Sequence, residues 1–179
     1  MTNSELVNQL SEAHEQFSAV VKNIDQKTSE RQPSPGEWSV GEVTHHLVLM
    51  ERKIRQMVRT MRWGLMSKKL PPEMRKPAPL EKVSERKQRV KTFATFIPLH
   101  GRMFAESLQK LDRERQMTIK FARRVNLNKL RPRYVRHPFI GALSGEEWLW
   151  FLAHHQQRHA KQIEEILDRI GEGKTVAKS

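Results

Sequence analysis

The chain has 179 residues, a length that fits one domain and a core able to stand without covalent staples. It contains no Cys, which excludes a disulfide framework, a thiolate metal site and a Cys nucleophile, so metal chemistry would rest on imidazole and carboxylate. A formal net charge of +13 points to nucleic acid, anionic lipid or an acidic substrate, and it is concentrated in two runs, Arg52 to Lys91 with fourteen Lys/Arg against three Glu and Arg113 to Arg136 with nine against one.

From Ser4 to about Thr28 the apolar residues Leu6, Leu10, Ala13, Phe17, Val20, Val21 and Ile24 recur at helical spacing, which predicts a first helix. The turn-rich segment 31–37 ends it. Ser39 and Glu42 have the spacing of a capping box and open a second helix, whose stripe Val40, Val43, Leu47, Met50, Ile54, Met57, Met61 runs to the Gly64 region. Pro71, Pro72, Pro77 and Pro79 then predict a long crossover loop, lacking apolar anchors and clear of the His-rich segments. Glu81 to Leu99 is ambiguous between helix and irregular chain. Gly101 to about Arg124 reads as a third helix, with Phe104, Leu108, Leu111, Arg115 and Thr118 on one stripe, and Asn126, Asn128, Pro132 and Pro138 mark another irregular connection. Ser144 and Glu147 form a second capping box, which launches a fourth helix to about Ile170 before Gly171. Four helices with few strand signals predict an all-α bundle, residues 1–172 as one domain and 173–179 as a flexible tail.

The fourth helix carries an anomaly. Its stripe Trp148, Leu152, His155, His159, Ile163, Ile166, Ile170 holds two imidazoles where apolar residues are expected. Residues four apart share a helix face with Cβ atoms roughly 5–6 Å apart, so His155 and His159 can point at one centre. His46 sits on the inward row Val43, His46, Met50 of the second helix and supplies a third imidazole from a facing element. Three buried imidazoles without partners are unfavourable, whereas one divalent cation satisfies three neutral nitrogens and keeps a position open for water or a substrate atom. An i, i+4 His pair is also compatible with a hydrogen-bonded core. His45 and His154 lie one step off the stripes and read as solvated, and His14, His100 and His137 have no spacing partner. Glu51 is either a hydrogen-bond partner of a ligand imidazole or, the favoured reading, the acid of an i, i+4 pair with Arg55. Gln162 either orients a ligand or bound water, or caps a polar edge of the core. Trp38, Trp148, Trp150 and Phe151 read as packing at the bundle end.

Two motifs resemble the DinB-like (YfiT-like) family. The first is Trp38-Ser39-Val40, then His46-Leu47, then Glu51. The second is His137-Pro138, Gly141-Ala-Leu-Ser144, Glu147-Trp148, Phe151 and His155-Gln-Gln-Arg158-His159-Ala-Lys-Gln162-Ile163. The resemblance spans roughly residues 5 to 170, and residues 81 to 136 add little to it. It implies a four-helix, up-down-down-up bundle in which His46, His155 and His159 bind nickel, zinc or a similar divalent ion. It implies a metal-dependent hydrolase, a thiol S-transferase using a low-molecular-weight thiol such as bacillithiol or mycothiol, or a thiol-dependent isomerase. It assigns no catalytic residue, and the scaffold does not choose among these chemistries.

The expected partner is therefore a small-molecule substrate, anionic or thiol-linked, in a protein that is cytoplasmic and able to pair as a homodimer. The opening MTNSELVNQLSEAHEQF is unlike a signal or transit peptide, and no stretch approaches the ~20 apolar residues of a bilayer span, so no membrane partner is expected. The alternative is a non-catalytic basic module that binds nucleic acid or another polyanion around a structural metal. No base-reading motif is present, so no sequence-specific nucleic-acid contact is expected.

Overall fold

A computed structural model describes residues 2–85 and 96–176. In chain order its helices are α1 (Asn3–Val21), α2 (Gln26–Glu30), α3 (Val40–Met61), α4 (Phe104–Arg124), α5 (Leu127–Leu130) and α6 (Gly145–Val176). The long ones begin where side chains can satisfy the free N–H groups of a first turn. Thr2 and Glu5 form a reciprocal box at α1, Ser39 and Glu42 do so at α3, and Ser144 exchanges hydrogen bonds with Glu147 at α6, 2.7 and 3.2 Å. The inward stripes follow the predicted spacing. Leu6, Leu10, Ala13, Phe17 and Val21 are buried on α1, and Val40, Val43, Leu47, Met50, Ile54 and Met61 on α3, where Val58 is buried more deeply than the predicted Met57.

Polar contacts between helices fix their directions. His14 meets Asp112, and Asn3 donates to the carbonyls of Ala122 and Val125, so α1 and α4 are antiparallel. Residue numbers rise together from Glu51–Arg115 to Arg55–Thr118 along α3 and α4, and from His14–Gln156 through Gln16–Gln157 along α1 and α6, so both pairs are parallel. With α1 and α3 diagonal and α6 packed on both, the order is up, down, down, up. The parallel neighbours α3 and α4 require a long connection, which the crossover from Arg62 to Met103 supplies.

Sequence patterning missed a small sheet. Strands β1 (Lys68–Lys69), β2 (Arg133–His137) and β3 (Gly141–Ser144) pair antiparallel in that order. They are too short and too charged to show a period of two, and Lys68 and Lys69 are both exposed. The β2–β3 hairpin closes on the pair His137 and Gly141, and Gly141 adopts the positive φ of 90° that lets the turn close without a Cβ clash. The Trp148 indole N–H donates to the Val135 carbonyl at 3.4 Å, tying the hairpin to α6.

The Pro-rich crossover is better anchored than predicted. Leu70 donates to the Pro132 carbonyl, the Ala78 N–H donates to Glu147 Oε1 at 2.8 Å, and Leu80 is buried in the core. Of the ambiguous segment, residues 86–95 lie outside the described ones; Leu80–Val83 forms a 3₁₀ turn. The last helix continues through Gly171 to Val176, past the predicted stop and into the predicted tail, because an isolated Gly lowers helix stability without ending it. No helix among the described residues is long and apolar enough to cross a membrane.

Candidate metal centre

His46 lies two turns into α3, and His155 and His159 lie one turn apart on the facing side of α6. One ring nitrogen from each falls within 4.8 Å of the other two. His155 Nε2 and His159 Nε2 are 3.1 Å apart, and the His46 ring centroid is 5.4 Å from that of His155 and 5.0 Å from that of His159. The opposite edges of two rings are held. His46 Nδ1 donates to the Phe96 carbonyl at 2.8 Å, and His159 Nδ1 donates to Gln162 Oε1 at 2.8 Å. With both protons on Nδ1, the Nε2 lone pairs of His46 and His159 face the shared centre. His155 is positioned by stacking on Phe151, with centroids 5.0 Å apart and 26° between planes.

Burial keeps two of the three imidazoles, His46 and His155, neutral. Burial pushes the His46 imidazole down to about 4, against a smaller opposing effect of the Phe96 carbonyl. Burial, and then the neighbouring His159 and His46, hold His155 well below its ordinary value. Neutral imidazole is the form that coordinates a cation. A single proton can be shared between the His155 and His159 nitrogens, but the His46 lone pair then still lacks a donor. One divalent ion would satisfy all three. Two metal–nitrogen bonds of about 2.1 Å place their nitrogens roughly 3–3.4 Å apart, which the 3.1 Å His155–His159 separation matches. The donor set therefore fits a divalent ion.

A family model for the DinB superfamily matches residues 9–163. The chain belongs to the DinB superfamily. It is 24% identical over 154 residues, 84% of this chain and 90% of the relative, to the uncharacterized protein YuaE of Bacillus subtilis (strain 168). Its fold is similar to that of YfiT from Bacillus subtilis, described as a probable metal-dependent hydrolase with an unusual four-helix bundle topology, at a TM-score of 0.65 and 17% identity over 94% of this chain and 87% of that one. It is also similar to the four-helix bundle protein TT2238, at a TM-score of 0.61 and 20% identity over 92% and 99% of the two chains.

In this DinB-superfamily chain the three imidazoles open on a cleft of about 1050 Å³, also lined by Trp38, Trp148 and Phe151 and by Met50, Ile54 and Met57. The aromatic residues expected only to pack thus also face the site; Trp150 does not line it. Lys53, Lys82 and Arg136 stand on the cleft as well, so the fold brings both basic runs to a site from which they are distant along the sequence.

Glu51 makes neither the pair with Arg55 nor a contact with a ligand imidazole. It is buried and pairs with Arg115 of α4 at 3.1 Å, while Arg55 pairs with Glu114 at 2.5 Å. The i, i+4 spacing puts Glu51 and Arg55 on the same face of α3, and both turn to α4 instead. The signal was legible, since Arg115 is a charge on the apolar stripe of α4, the same kind of anomaly as the histidines. His45 and His154 are half-buried rather than solvated, and burial lowers both. His45 Nδ1 accepts the Leu99 N–H at 3.0 Å. Neither ring lines the cleft. His137, without any spacing partner on a helix, is brought to the cleft by the hairpin.

Proposed function

We propose that this protein is a metal-dependent hydrolase acting on a small substrate, with His46, His155 and His159 holding one divalent ion through Nε2. The observation that carries this reading is the convergence of three imidazoles on one cleft, two of them oriented by a hydrogen bond at Nδ1. A closed structural site takes a fourth protein ligand, and the three histidines are the group of that kind among the described residues. A bound ion of this type supplies Lewis acidity to a substrate oxygen or a water. The chain's own residues do the rest. Phe96 and Gln162 fix the tautomers of two imidazoles, Trp38, Trp148 and Phe151 give the cleft apolar surface, and its five Lys and Arg side chains outnumber Glu37, Glu85 and Glu165 and bias it toward anions. The same open position suits a low-molecular-weight thiol, which makes S-transfer the alternative chemistry for this site.

Untagged protein should retain about one transition-metal ion per chain by elemental analysis. His46→Ala, His155→Ala and His159→Ala should each remove metal and activity together, while His45→Ala and His154→Ala keep both. A screen of esters, amides and thiol acceptors across added metals then separates hydrolysis from transfer. Wild-type protein that retains no ion under metal supplementation would reject the reading. The polyanion-binding alternative is tested separately, because DNA binding by surface charge alone should fall linearly on a log–log salt plot and be indifferent to sequence. Affinity that persists at several hundred millimolar salt would favour that alternative.

A further inference from the structure

His137 shares the cleft with the three-His group, but its ring is wired the opposite way. It ends β2, and the hairpin turn returns the Phe139 N–H to its Nδ1 at 3.2 Å. A backbone N–H can only donate, so Nδ1 is the acceptor and the neutral ring carries its proton on Nε2. His46 and His159 have Nδ1 donating, which leaves the lone pair on Nε2. The His137 ring is packed among Phe151, Trp148 and Phe139, at centroid distances of 4.9, 5.4 and 6.0 Å. Phe151 in turn stacks on His155, so one phenyl ring separates His137 from the metal-site imidazoles.

We propose that His137 is a substrate-binding residue of the cleft, a neutral Nε2–H donor that holds a carboxylate or carbonyl oxygen beside the three-His group. This rests on the functional reading above and deepens it by naming the group the substrate must offer. A protonated Nε2 has no lone pair for a metal, and Nδ1 is already occupied, so His137 is not a fourth ligand. Its Nε2 has no acceptor among the described residues and is not shut off from the cleft, so a ligand oxygen can take the place of water there. Burial lowers the imidazole to about 4, so the ring stays neutral at neutral pH. The neighbouring Arg136, also on the cleft, favours an oxygen that bears negative charge.

Two measurements on the full chain test this, with acetate as the probe. In metal-free protein labelled with ¹⁵N-histidine, His137 should show the Nε2–H tautomer and His46 and His159 the Nδ1–H tautomer, and acetate should shift the His137 Nε2 resonance. In cobalt(II)-loaded protein followed by visible absorption, His137→Phe should bind acetate about tenfold more weakly at unchanged cobalt stoichiometry, and His137→Gln, whose amide can donate, should recover part of the loss. An Nδ1–H tautomer at His137, an acetate affinity unchanged in His137→Phe, or a lower cobalt stoichiometry in that variant would overturn the proposal. If wild-type protein takes up no cobalt, the metal reading fails by itself, and the acetate shift in metal-free protein still decides the role of His137.

Discussion

At the scale of single residues, the site is organised by which ring nitrogen holds the proton. Gln162 stands one turn past His159 on α6, and its Oε1 accepts the His159 Nδ1 proton and thereby turns the Nε2 lone pair to the centre. Partners of this kind change metal affinity by about 10–100-fold when removed. Gln162→Leu should therefore weaken metal binding by that order while the fold survives, as measured by competition with a chromophoric chelator beside a thermal melt. Unchanged affinity would show that stacking and packing alone orient His159. The spacing of His155, His159 and Gln162 was visible in the sequence because one helix carries all three. Phe96 was not, since a backbone carbonyl fifty positions from His46 leaves no mark on any helical stripe.

At the scale of elements, periodicity located the four long helices because each buries one stripe and exposes the rest, whereas β1 to β3 were hidden by shortness and charge. Glu51 and Arg115 show where helical spacing runs out. Spacing on α3 names Arg55 as the neighbour of Glu51, but only the docking of α4 decides that a buried ion pair forms between helices. The pair joins two parallel helices that no short loop connects. Truncating one member leaves the other charged and buried, so Glu51→Ala should cost about 3–5 kcal/mol in urea unfolding. Replacing both members with apolar residues of similar volume should cost much less. Equal losses for the single and double variants would mean that the two residues act through packing rather than charge.

The crossover belongs to the same scale. Its Pro71 to Pro79 stretch is held at the Ala78 N–H by Glu147 and at Leu70 by Pro132, with few regular hydrogen bonds between. It should exchange its amides faster than any helix while Ala78 remains protected. Glu147→Ala should abolish the protection at Ala78 and unsettle the cap of α6, which also depends on that carboxylate. Strong protection throughout the stretch in wild-type protein would contradict this account.

For the molecule as a whole, a set of neutral buried imidazoles couples folding to pH. The folded His46 value is about 4, against about 6.5 for an exposed imidazole. His14, His45, His154 and His155 are shifted in the same direction, each chiefly by burial. Between those two values the unfolded chain binds protons that the folded chain refuses, so stability is whole above about pH 6.5 and declines as pH falls toward about 4. Below the folded value both states are protonated and the group contributes no further loss. For His46 alone the difference corresponds to roughly 3 kcal/mol across that window. A bound ion would sharpen the decline, because it binds only the folded, deprotonated set and is expelled as protons compete for the same nitrogens. Urea titrations of metal-free protein at a series of pH values should therefore show the unfolding midpoint falling between about pH 6.5 and 4, and His46→Phe, which keeps a ring but removes the titration, should flatten that fall. A midpoint independent of pH in this window would mean that the folded imidazoles take up protons as readily as the unfolded ones, and burial would then not hold them neutral.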